Sequence, residues 1–117
     1  MKCHVFAAAL FFSSVSSVTA TSPLTMTATP AQSFAPTTLI VRVHVEPDAD
    51  NRELEVVAES SAYYRSSRLQ LEGSSAPRTM SLEFRGLPGG NYEVRGALID
   101  STGRPRAAVR AQIIVLE

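Results

Sequence analysis

Covalent catalysis by a side chain needs a nucleophile, a base, and a group that orients the base, all within reach of one another. The 117 residues hold one Cys and two His, and the cysteine, Cys3, falls in an apolar N-terminal run. His44 stands on the polar side of an alternating stretch, between Arg42 and Glu46. That is the solvated face of a half-buried strand. The serines gather in loops and near the N-terminus, and no G-x-S-x-G elbow occurs. Glycoside hydrolysis would need two carboxylates facing across a cleft, whereas Glu53, Glu55 and Glu59 share the outer side of one strand. Asp48-Ala49-Asp50-Asn51 has oxygen ligands at a spacing that could suit calcium. A calcium loop would continue with a further ligand, a Gly and a distal Glu, and here Arg52 follows. Acids and amides so spaced are also ordinary turn formers. Zinc would find neither a cysteine nor a second histidine beyond the N-terminal run. No catalytic residue, metal or cofactor is expected.

Recognition has better material. Ser60 to Arg68 reads as a polar loop that carries Tyr63, Tyr64 and Arg65, and Tyr and Arg are enriched where interfaces concentrate their binding energy. Arg104 and Arg106 flank Pro105 just before the last strand and form a short basic loop. Ile114 and Leu116 put apolar side chains on what should be the wet face of that strand, opposite Ile113 and Val115. Either the Thr-rich N-terminal segment covers them, or they mark a docking strip near a sheet edge.

These residues need a compartment and a scaffold. The first twenty residues have the build of a secretory leader: Lys2, the apolar core Val5 to Phe12, and the small residues around Val18-Thr19-Ala20. A membrane span needs about 20 apolar residues, and Ser13, Ser14, Ser16 and Ser17 end this run early. Cleavage after Ala20 would leave residues 21–117 as one domain, exported to the periplasm or beyond, with no transmembrane anchor and no cysteine. Burial alone must then hold it together. Lys2 is the sole lysine, so its loss leaves ten Arg against eleven Asp and Glu, well interspersed. Nucleic acid and anionic membranes, which need a concentrated positive surface, are excluded as partners.

The scaffold is written in period two. Leu24, Met26 and Ala28 alternate with threonines, as an edge strand or as a disordered lead-in within residues 21–38. Leu39, Val41, Val43 and Val45 follow, then Leu54, Val56 and Ala58, then Leu69 and Leu71. Met80, Leu82 and Phe84 lead to a corner, Leu87-Pro88-Gly89-Gly90, after which Tyr92, Val94, Gly96 and Leu98 share one face. The last strand runs from Ala108 to Leu116. Turn signals recur about every 8–12 residues and nothing holds a helical period, which predicts an antiparallel, two-sheet, all-β sandwich of six strands, or seven with the Thr-rich segment. A tyrosine that opens a strand after such a corner can bury its ring and tie its hydroxyl to backbone.

The stretch GLPGGNYEVRGALID resembles the region between the fifth and sixth strands of fibronectin type III and related bacterial immunoglobulin-like domains. The resemblance extends over nearly all of residues 24–117. It departs in three respects: no Trp, no cysteine pair joining the sheets, and Gly96 where a larger residue is usual. Prealbumin-like sandwiches share the corner. The resemblance implies adhesion, spacing or binding, so the expected function is a non-catalytic exported interaction or assembly module of the cell envelope or extracellular space. The partner expected is a protein. The alternative is a glycan or cell-wall polymer held on Tyr63 and Tyr64, which the lack of Trp weakens.

Overall fold

The structure, a computed structural model, describes residues 22–117. The leader expected over residues 1–20 lies outside the described residues. Eight strands form, in chain order β1 (Leu24–Thr29), β2 (Gln32–Phe34), β3 (Thr37–Val45), β4 (Glu53–Ser60), β5 (Tyr63–Gln70), β6 (Thr79–Leu87), β7 (Gly90–Ile99) and β8 (Pro105–Leu116), with one 3-10 turn at Gly73–Ser75. They make two sheets, ordered β1-β3-β6 and β2-β8-β7-β4-β5. The protein is therefore all-β and two-layered, and its core fills the space between the sheets.

The Thr-rich segment is ordered from Leu24 onward and serves both sheets. Its first half, β1, pairs antiparallel with β3 and buries Leu24 while Thr25, Thr27 and Thr29 face out. Pro30 has no N–H to continue the ladder, and the chain crosses to the other sheet. There β2 pairs with β8 in parallel, the one departure from the antiparallel arrangement expected. Backbone bonds fasten both its ends, from the Ile114 N–H to the Ala31 carbonyl (2.9 Å) and from the Ala35 N–H to the Leu116 carbonyl (2.7 Å).

Gly96 is explained by β1. A Cβ there would lie 3.1 Å from Met26 Sδ and 3.3 Å from Val109 Cγ2, so the space beside it is already filled by Met26 from the opposite sheet and by its cross-strand partner Val109. Gly86 has a different reason. With φ +70 it sits where the β3–β6 register shifts between Thr37 and Leu39, and the extra residue lets Phe84 and Leu87 both face the core. Leu87 then ends β6, and Tyr92 is buried two residues into β7. Its hydroxyl donates to the Pro88 carbonyl at 2.7 Å, closing the corner over Gly89 and Gly90.

One expected element is absent. The polar loop read over Ser60–Arg68 is a tight hairpin, because β5 begins at Tyr63 and pairs with β4 from Ser60↔Tyr63 to Glu53↔Gln70 without interruption. The hydrophobic signal of β5 is weak since it is an edge strand, held mainly by backbone bonds to β4.

Candidate functional site

The main exposed apolar surface is at the β2–β8 edge. Phe34 lies opposite Leu116 and Gln32 opposite Ile114, so all four side chains share the outer face of the five-stranded sheet. Phe34 is 70% exposed, Ile114 43% and Leu116 36%, while Ile113 and Val115 on the other side of the same strand are buried. Asn91 of β7 stands across from Ile114, and Glu93 across from Gln112. The near rim is thus polar, made of Gln32, Asn91, Gln112 and the carboxylate of Glu93. The Thr-rich segment reaches this strand but runs alongside it, closing its backbone edge and leaving its outer side chains open.

The remaining residues read as binding do not gather into one site. Tyr63 points inward and meets the Tyr92 ring edge-on at 5.9 Å and 71°. Tyr64 points outward. Adjacent strand residues face opposite sides, so the two rings offer no common platform for a sugar. Arg65 follows on the core side, across from Ala58. Leu87, Pro88, Gly89, Gly90 and Tyr92 form the corner described above, a structural feature.

Arg104 and Arg106 also separate. Arg104 is exposed, and its backbone N–H donates to Asp100 Oδ1 at 3.0 Å. Two further bonds from Thr102 reach that oxygen. These bonds, led by that from the Thr102 hydroxyl, hold the Asp100 carboxyl below its usual range. Arg106 turns toward the end of the sandwich, where its guanidinium donates to Asn51 Oδ1 and, at 3.2 Å, to Asp48 Oδ2. Asn51 is fully buried, and its Nδ2 donates to the Glu46 carbonyl at 2.9 Å. Asp48 Oδ1 accepts from the Asp50 N–H at 2.8 Å, and Asp50 in turn accepts from the Ser101 hydroxyl. The oxygens that resembled a calcium loop therefore join the β3–β4 turn to the β7–β8 turn. Arg104 lies one residue before β8 and Leu116 ends it twelve residues on. At about 3.3 Å per residue no small ligand spans both.

Ion pairs cross the rest of the outer face. Arg95 bonds Glu59 (3.0 Å) and Glu93 (2.9 Å), and Arg68 bonds Glu55 at 3.2 Å. They frame a shallow depression of about 580 Å³ floored by Val57, Ala97 and Ala108. On the other sheet His44 contacts Glu46 at 3.1 Å, both half-exposed.

No protein-family model matches the sequence, and no curated protein matches it. Solved structures do match the fold. Superoxide reductase (neelaredoxin) from Ignicoccus hospitalis is similar at a TM-score of 0.58 and 17% identity, over 79% of this chain and 79% of that one. Two single-residue variants of that protein match at TM-scores of 0.59 and 0.58, each at 16% identity and over 80% of this chain. These neighbours overturn the kinship with fibronectin type III and immunoglobulin-like domains, which rested on one corner that many sandwiches share. They also overturn the non-catalytic interaction or assembly function and the glycan-binding alternative, since the structures with this fold are named as reductases.

Reducing superoxide takes a centre that gives up one electron at a time, and proteins hold redox metals with imidazoles, thiolates and carboxylates. Among the described residues there is one imidazole, His44, no thiol, and no group of three His, Cys, Asp or Glu placed to hold an ion. These residues do not fit such a centre. Likeness at this identity carries the fold, and the chemistry of a fold lives in the residues grafted on it.

Proposed function

We propose that this chain, apart from any reaction its fold carries, holds a short apolar segment of a partner protein against Phe34, Ile114 and Leu116. One observation supports the reading above all. Three large apolar side chains, unneeded by the core, stand together on adjacent strands inside a polar rim. Interfaces favour that pattern of apolar centre and polar border. The size of the strip argues for a segment over a whole domain, because stable protein pairs bury about 800 Å² on each side. With a leader over residues 1–20, the partner would be met in the periplasm or outside the cell.

The test is a triple variant, Phe34→Ser/Ile114→Lys/Leu116→Lys, assayed by fluorescence anisotropy against a panel of labelled apolar peptides. Substitutions at exposed positions shift stability by about 0.5 kcal/mol or less, so its melting temperature should be unchanged. Binding should weaken about tenfold or more, equivalent to about 1.4 kcal/mol. Equal binding by variant and wild type would sink the reading, and an unfolded variant would return these side chains to the core.

A second reading comes with the fold, reduction of superoxide as in the neighbours' names. The fold match is the observation that favours it, an argument by analogy. His44 beside Glu46 is the one described imidazole it could use. Superoxide consumption by the protein, loaded in turn with Fe²⁺, Mn²⁺ and Cu⁺ and re-reduced by a supplied electron donor, decides it. The reading requires consumption above that of the free ion and its loss in His44→Ala. Rates equal to the free ion in all three would remove it.

A further inference from the structure

At the opposite side of the five-stranded sheet, β5 is paired along one flank only. Its eight residues follow β4 in unbroken register, and no strand among the described residues lies on its other side. It carries no proline and no bulge. Such an edge is a template on which an extended segment of another chain can add.

Arg65 sets the terms of that addition. Its partner Ala58 is buried in the core, so Arg65 projects from the core side of the strand, toward the open seam between the sheets. A charge so placed on an edge strand repels indiscriminate pairing. Among the described residues no carboxylate lies within ion-pair distance of it. Its two polar contacts, from Nη1 to Tyr63 Oη and to the Arg85 carbonyl, are both long at 3.5 Å. Arg85 and Arg68, by contrast, are paired, Arg85 with Glu83 at 2.9 Å and Arg68 with Glu55 at 3.2 Å. A strand added to β5 would bring one residue directly across from Arg65, about 4.5–5.5 Å away between Cβ atoms. An aliphatic residue there would bury the guanidinium unpaired. A carboxylate would pair with it.

We propose that the free edge of β5 accepts an extended segment of a partner protein carrying Asp or Glu across from Arg65. A second copy of this chain fits poorly. The sequence of β5, YYRSSRLQ, holds two arginines and no acid, so edge-to-edge pairing sets like charges together. This inference stands apart from the apolar strip, since β5 and β8 lie on opposite sides of the sheet.

A display library of ten-residue peptides, selected on the purified protein, tests it. Selection on the wild type should enrich Asp or Glu at one position about tenfold over the library. Selection on Arg65→Glu should enrich Lys or Arg at that position instead, and selection on Arg110→Glu, an arginine of the outer face, should keep the acidic preference. Circular dichroism confirms that each variant is folded, and Arg65→Gln, which should lose the preference for either charge, stands in if Arg65→Glu is not. No acidic enrichment on the wild type, or the same enrichment on the Arg65 variants, overturns the proposal. So does edge-to-edge dimerisation of the wild type in sedimentation that Arg65→Glu abolishes.

Discussion

Replacing Tyr92 by Ala should cost about 3–5 kcal/mol, the range for removing a large aromatic from a packed interior. The ring is 1% exposed, touches the Tyr63 ring edge-on, and sits where β6 hands the chain to β7. Tyr92→Phe keeps the ring and loses the bond to the Pro88 carbonyl. It should cost about 0.5–1.5 kcal/mol, a typical net hydrogen bond. Urea midpoints measure both, and a Tyr92→Ala midpoint within error of wild type would show that the corner does not depend on the ring. The hydroxyl also makes stability fall at high pH. Burial pushes the Tyr92 phenol above its ordinary value of 10.0, with the Ser60 side chain drawing it part of the way back. The folded state therefore favours the neutral phenol. Its contribution is fully present below about pH 10, the unfolded value, and is lost as pH rises through the higher folded one. Tyr92→Phe should flatten the melting-temperature profile in that alkaline range. An equally steep profile in the variant would assign the loss to other groups.

How much of this was legible in the sequence differs from strand to strand, for physical reasons. In β3, β4 and β7 one face is buried and the other wet, so apolar residues recur at every second position and the strands announce themselves. The register that turns Leu87 inward is harder to foresee, because it depends on a bulge at Gly86. Phe34 was missed outright. A three-residue strand shows no period, and Phe34 stands between Ser33 and Ala35-Pro36 with nothing to mark it as part of a sheet. Tyr63 and Tyr64 were read as loop because β5, at the edge, buries so little of itself. The kinship went wrong for a related reason. A Pro-Gly-Gly corner followed by a tyrosine records a local bend between two sheets, and any sandwich that needs the bend can use it. Pairings of long reach, such as Arg106 with Asn51 at a separation of 55 residues, leave no local trace at all.

That last pairing supports the other large prediction. Asn51 is fully buried and joins three parts of the chain. Its Nδ2 donates to the Glu46 carbonyl at the end of β3, its Oδ1 accepts from Arg106 in β8, and its backbone carbonyl accepts from the Gly73 N–H after β5. Asn51→Leu keeps the branching at Cγ and removes both side-chain bonds. Each buried polar group left without a partner costs about 1–3 kcal/mol, and here there are two, the Glu46 carbonyl and one arm of the Arg106 guanidinium. Arg106 retains Asp48 at 3.2 Å, so the second penalty falls at the lower end and the total should be about 2–4 kcal/mol. Arg106→Leu alone should cost less than Asn51→Leu, because it leaves one buried group, the Asn51 oxygen, without its partner where Asn51→Leu leaves two. The double variant Asn51→Leu/Arg106→Leu should then cost less than the two single losses combined, since each single change already breaks the bond they share. Urea unfolding of the four proteins measures the cycle. Strict additivity would mean the Asn51–Arg106 bond contributes nothing to holding this end of the sandwich closed.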